Sequence, residues 1–290
     1  MAEQDGIQML LRGSEMHLDD AVVQAGVMGV ISNLSVDDEI EQTIATAGGI
    51  EMLIRAAQAH RTDAKVQARV VRALTNLSVH ESNKERIASA EGLQTLLDAA
   101  AAHLESAEVH AGVVGALRNL SVAPRIAPML VSAGGIEVLI KSAKKHGTNM
   151  VVQAGVAGAF KNLAVDAAYR QQILDAGGLV VLDLAAGYHK TNERLVAIID
   201  EAKANLRGEM RDPNKAEESS SSGGDTTSRQ KSKKKGKKLA LASAPASDEP
   251  GVPSQRAQAS QRGPAPSVRA AGKLTQSFGG LSRRRAPSKK

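Results

Sequence analysis

Arg69 and Arg72 stand seven and four residues before Asn76, so on a helix the three side chains share one face. Guanidinium forks suit carboxylate and phosphate oxygens. The row therefore predicts a clamp for an acidic or phosphorylated segment, with a solvated charged row as the alternative. Asn76 is one of five asparagines, Asn33, Asn76, Asn119, Asn162 and Asn205, spaced 43 residues apart. Arg118 and Lys161 each precede one of them directly. A carboxamide offers both a donor and an acceptor. It can serve a ligand, or it can satisfy backbone groups near the end of its own helix.

Histidine keeps the same interval at His17, His60, His103, His146 and His189. Copies on neighbouring helices would lie about 8–10 Å apart, whereas the ligands of one zinc ion lie about 2 Å from it. The histidine ladder therefore reads as a set of helix C-terminal residues that contact unsatisfied carbonyls. The chain has no cysteine, which excludes thiolate chemistry and disulfides and fits a reducing compartment. No phosphate-cradling G-x-x-x-x-G-K-[ST], no H-E-x-x-H and no G-x-S-x-G occurs. The expectation is a protein that is not an enzyme, with no cofactor and no metal.

The elements that carry these residues follow the same 43-residue clock, and an unbroken repeat of this length marks a stacked architecture. Gly48-Gly49 recurs as Glu91-Gly92, Gly134-Gly135 and Gly177-Gly178, a fit for a sharp turn between helices. Apolar residues follow at helical spacing, as in Ile50, Leu53 and Ile54 or Ile136, Leu139 and Ile140. Asp20, Asp63, Ser106, Asn149 and Asn192 share one register position, and all are good N-cap residues. Each predicts the start of a longer helix, running in the second unit from Ala64 to about Val79 with Val66, Val70, Leu74 and Leu77 inward. A short helix holding Ile44, Ile87, Leu130 or Ile173 precedes each glycine turn, made irregular in the third unit by Pro124 and Pro128. Gly26 and Gly29, Gly112 and Gly115, and Gly155 and Gly158 fall inside the long helices, at roughly 0.8–1 kcal/mol each relative to alanine. They permit either close helix packing or close approach of a ligand backbone. With no tryptophan, two phenylalanines and two tyrosines, the core must be aliphatic.

Three helices in 43 residues, a glycine turn and the recurring Asn-Leu-Ser of Asn33-Leu34-Ser35, Asn76-Leu77-Ser78 and Asn119-Leu120-Ser121 resemble the armadillo repeat. The stretch from Ala59-His60 through Val66-Gln67 to Leu74, Asn76 and Leu77 is similar to long-period armadillo arrays. The resemblance covers residues 1–210 and implies an all-α, right-handed α-solenoid of about five repeats. It further implies a concave groove lined by the third helix of each repeat. There Asn33, Asn76, Asn119 and Asn162 would bind the backbone of an extended peptide, with Asn205 in the terminal unit. An extended chain rises about 3.3 Å per residue, so helices about 8–10 Å apart would meet every third ligand residue. Arg69, Arg72, Arg118 and Lys161 would lie along the same groove. Armadillo receptors for nuclear-localisation signals carry a tryptophan four residues before the asparagine. Here those positions are Gly29, Arg72, Gly115, Gly158 and Glu201, which argues against that class.

The ends depart from the interior pattern. The first unit starts in its second helix, at about Gly6 to Leu11, which fits either missing preceding sequence or an end packed on another surface. The last unit reads as a cap, with Asp183 in place of an apolar residue and Glu193, Asp200, Glu201 and Lys203 on its helix.

The net charge of +6 divides into −6 over residues 1–210 and +12 over 211–290. Residues 211–290 are rich in Ser, Gly, Ala, Pro, Lys and Arg and predict a disordered basic tail. Lys231, Lys233, Lys234, Lys235, Lys237 and Lys238 form its densest cluster. That cluster fits a nuclear-localisation signal read by an importin, a polyanion-binding patch for nucleic acid, microtubule tails or acidic lipid, or an arm folding onto the acidic body. No apolar run is long enough to span a membrane and no signal peptide is apparent, so the expected location is cytoplasmic, nuclear or both. The leading expectation is a scaffold that binds a partner's extended segment, and the alternative is a polyanion binder acting through the tail.

Overall fold

A computed structural model describes residues 2–209, which belong to one compact unit. The expected basic tail, with Lys231, Lys233, Lys234, Lys235, Lys237 and Lys238, lies outside the described residues. Among the described residues there are fourteen helices and no strand. In chain order they are α1 (Ala2–Met16), α2 (Ala21–Leu34), α3 (Asp38–Thr46), α4 (Gly49–Ala59), α5 (Ala64–Leu77), α6 (Glu81–Ile87) and α7 (Ala90–Ala102). There follow α8 (Ala107–Leu120), α9 (Ala127–Ser132), α10 (Gly135–Lys145), α11 (Met150–Leu163), α12 (Ala167–Asp175), α13 (Gly178–Tyr188) and α14 (Glu193–Leu206).

Helices α2, α5, α8, α11 and α14 are each 14 residues long. Every one starts just after its N-cap. Asp20 Oδ1 accepts from the backbone N–H of Val22 and Val23, and Asp63 Oδ1 from those of Lys65 and Val66. Ser106, Asn149 and Asn192 do the same work at their helices. Such caps satisfy donors that no carbonyl of the helix can reach. Helix α5 ends at Leu77, two residues before the expected Val79, with Ser78 as its C-cap.

Gly48, Gly134 and Gly177 precede α4, α10 and α13 at φ of 90°, 91° and 87°, where a side chain would be strained. The second unit has Glu91 at that register. There the chain turns earlier, at Ser89, and Glu91 is inside α7, which is 13 residues long where its counterparts have 11. Helix α9 has only six residues, with a proline in its first turn, where α3 and α12 have nine. Proline has no N–H to give and resists an interior helical position.

Two rows of helices result. Helices α2, α5, α8, α11 and α14 pack each on the next, and α1, α4, α7, α10 and α13 form a second row beside them. This is compatible with an α-solenoid. One aliphatic core runs between the rows from Ile7 to Leu206. Val66, Val70, Leu74 and Leu77 are all fully buried, and Phe160 is the one fully buried aromatic among the described residues. Truncating an interior leucine to alanine at such a site costs about 2–5 kcal/mol. Neighbouring long helices come close. A Cβ added at Gly112 would sit 2.4 Å from Val71 Cγ2, and one at Gly155 would sit 2.5 Å from Val114 Cγ2.

Buried glutamines hold the turn between the rows. Gln67 Nε2 donates to the carbonyls of Ala57, at 2.7 Å, and His60, at 3.0 Å. Gln24 and Gln153 repeat this at their own turns. In the third unit His110 takes the position. Its Nδ1 lies 2.8 Å from Ser142 Oγ, and its ring centroid is 4.6 Å from that of His146. Burial, and then the neighbouring His146, push the His110 imidazole down to about 4. Helix α1 covers the expected Gly6–Leu11 start. At the other end Asp183 pairs with Lys203 at 2.5 Å.

Candidate functional site

From α5 onward, the asparagine of each long helix ties it to the long helix before it. Asn76 Nδ2 donates to the Ser32 carbonyl and to Ser35 Oγ, both at 3.1 Å. Asn119 Nδ2 reaches the Thr75 carbonyl at 3.1 Å and Ser78 Oγ at 3.0 Å. Asn162 Nδ2 reaches the Arg118 carbonyl at 3.1 Å and Ser121 Oγ at 3.0 Å. These serine hydroxyls donate in turn to the same carbonyls, as Ser78 Oγ does to Thr75 O at 2.7 Å. The Asn-Leu-Ser tripeptide thus works across units: its serine caps one helix and receives the asparagine of the next. Residue 164 is alanine, and there Asn205 keeps only the Lys161 carbonyl, at 3.1 Å.

The amide donors of Asn76, Asn119, Asn162 and Asn205 are therefore engaged within the fold, whereas Asn33, at the start of the row, is exposed. The carbonyl oxygens differ. Asn33 Oδ1 accepts from Arg72, and Asn119 Oδ1 from Arg118 Nη2 at 3.3 Å. Among the described residues, Oδ1 of Asn76 and of Asn162 accepts no hydrogen bond, and both side chains are half-buried.

The cations lie along the same row. Arg69 extends over Gly29, where a Cβ would meet its guanidinium at 2.7 Å, and donates to the Ala25 carbonyl. Arg72 is one unit away from its partner Asn33. The Arg118 stem lies over Gly158, 2.5 Å from where a Cβ would stand, and burial draws its guanidinium below the ordinary arginine value. Lys161 pairs with Glu201 of α14. Arg69, Arg72, Arg118, Lys161 and the asparagines are thus brought onto one row of helices, each cation holding a partner within the chain.

No family model matches the chain, and no curated protein matches it. It is similar to crystal structures of two engineered proteins. One is 18% identical, covering 70% of this chain and 98% of that one with a TM-score of 0.46, and the other is 21% identical, covering 71% and 98% with a TM-score of 0.45.

Two further features of the row escape a reading of the asparagines alone. Val36, Val79, Val122 and Val165 each follow the C-cap of a long helix and are 66%, 44%, 60% and 63% exposed. They recur every 43 residues as the fourth letter of Asn-Leu-Ser-Val or, at Val165, of Asn-Leu-Ala-Val, a signal present in the sequence. Three of the five ladder histidines reach carbonyls, those of the preceding unit, while His146 Nε2 is buried with no hydrogen-bond partner among the described residues. The Nε2 atoms of His60, His103 and His189 lie 2.6, 2.7 and 3.1 Å from the carbonyls of Leu18, Arg61 and Gly147.

Proposed function

We propose that the protein is an interaction scaffold of armadillo type, a right-handed solenoid of about five repeats that binds an extended segment of a partner protein. The row α2, α5, α8, α11 and α14 is the inner surface of the groove. Binding rather than catalysis is the role of Asn33, Asn76, Asn119, Asn162, Arg69, Arg72, Arg118 and Lys161. One observation carries this reading: successive long helices place an asparagine and a cation side by side, and Asn76, Asn119 and Asn162 are half-buried with their amide donors turned to the fold, the Asn76 and Asn162 oxygens accepting nothing within it.

The ligand follows from that chemistry. A carbonyl oxygen at the floor accepts from the N–H of an extended backbone. The guanidinium and ammonium groups favour acidic or phosphorylated side chains, exchanging their present partners for the ligand's. The exposed valines would offer apolar contact along one edge.

The test uses peptides selected from a random display library against the full chain and resynthesised with a photoreactive residue. Crosslinks on α5, α8 and α11 are expected. Crosslinks confined to residues 211–290 would remove the groove reading. They would favour the alternative, polyanion binding through Lys231, Lys233, Lys234, Lys235, Lys237 and Lys238, which rests on six lysines within eight residues.

A further inference from the structure

Away from the long-helix row, two carboxylates and an imidazole converge where the first unit meets the second. Asp38 and Glu41 lie in the first turns of α3, three residues apart and so on one side of the helix. His80 is the N-cap residue of α6, and its side chain makes no cap hydrogen bond there. One ligand atom from each of the three residues lies within 4.8 Å of the other two.

The details suit a metal ion better than a plain ion pair. The Glu41 side chain is 2% exposed. Asn83 Nδ2 donates to its Oε1 at 3.2 Å, which orients the carboxylate as an outer-shell partner does. The other oxygen, Oε2, is 3.6 Å from His80 Nε2. That is too long for a hydrogen bond but close to the edge, about 3.4 Å, of a tetrahedron built on zinc bonds of about 2.1 Å. His80 Nε2 is itself shut off from solvent and has no hydrogen-bond partner among the described residues. The imidazole as a whole is 34% exposed, which gives an ion a way in.

The repeat supplies an internal control. One unit on, the positions of Asp38, Glu41 and His80 are Glu81, Lys84 and Ala123, and Glu81 closes a 2.6 Å ion pair with Lys84. The next junction has Pro124, Ala127 and Asp166, and the one after has Ala167 and Arg170. The architecture is built three times without this cluster, so stacking of units does not call for it.

We propose that Asp38, Glu41 and His80 form a site for a divalent first-row transition metal, with zinc the best fit. Three protein ligands leave one position for water, and the ion clamps α3 to α6. The imidazole selects zinc over magnesium and calcium, which prefer all-oxygen shells. This proposal is independent of the peptide-binding reading.

The experiment titrates Zn2+ into the chelator-treated full-length protein by calorimetry, with Co2+ absorption and thermal unfolding in parallel and Mg2+ as a second arm. Wild type is expected to bind one zinc that His80→Gln and Asp38→Asn each weaken at least tenfold, to give the Co2+ bands of a tetrahedral site, and to gain thermal stability with Zn2+ but not with Mg2+. Circular dichroism checks that both variants fold, and Asp38, being exposed, serves if His80→Gln does not. His103→Ala is expected to retain the site. The proposal is overturned if wild type takes up no zinc, if zinc binding is the same in both variants, or if Mg2+ binds as well as Zn2+.

Discussion

Asn119 Nδ2 donates to Ser78 Oγ at 3.0 Å across 41 residues, joining the asparagine of one Asn-Leu-Ser to the serine of the previous one. With the 3.1 Å bond to Thr75 O, it ties α8 to the C-terminal end of α5. Asn119→Ala removes both bonds and leaves a half-buried junction short of a donor. We expect a loss of about 1–3 kcal/mol in urea unfolding. Asn205→Ala, with one bond to lose, should cost less. Ala164→Ser supplies Asn205 with the hydroxyl the other junctions have, and should raise stability by about 0.5–1 kcal/mol.

Interior glycines at the long-helix contacts should resist the usual gain from alanine. Gly112→Ala and Gly155→Ala would drive a methyl against the buried, β-branched Val71 and Val114. Overpacking of this kind costs about 1–3 kcal/mol and exceeds the propensity gain. Gly26 has nothing within 4 Å of an added Cβ, so Gly26→Ala should stabilise by up to about 1 kcal/mol. Thermal unfolding of the three variants, read with opposite signs, checks this.

The third unit carries a pH response. His110 titrates near 4 in the fold against about 6.5 in the unfolded chain. A lowered histidine value means that protons bind the unfolded state first. Stability is then complete above pH 6.5 and falls as the pH drops towards 4, by about 2–3 kcal/mol from this group. His110→Gln restores the residue of the first, second and fourth units and should flatten that part of the curve. Urea midpoints at pH 7.5, 5.5 and 4.5 distinguish the two proteins.

Local chemistry was legible in the sequence, and contacts between units were not. Asp20, Asp63 and Asn149 begin helices because a cap needs only the next three residues. Val66, Val70, Leu74 and Leu77 announce their burial by spacing alone. The start of α7 was missed because Glu91, unlike glycine, is drawn into the helix instead of taking the left-handed turn. The direction of the asparagine donors, the carbonyl each histidine reaches and the meeting of Asp38 and Glu41 with His80 all span 39–44 residues. They depend on how one unit is offset against the next, which periodicity does not encode. His80 lies outside the 43-residue histidine register, so a search limited to that ladder for metal ligands passes over it.

Groove binding is tested most directly by the affinity of a library-selected acidic peptide, measured by fluorescence anisotropy at fixed salt. The comparison is between wild type, Arg72→Glu/Lys161→Glu, and a full-length variant with Lys231, Lys233, Lys234, Lys235, Lys237 and Lys238 all changed to alanine. Reversing the two row cations should weaken binding at least tenfold, and removing the six lysines should leave it within about twofold. Unchanged affinity in the row variant, with binding lost in the lysine variant, would contradict a ligand site on the long-helix row.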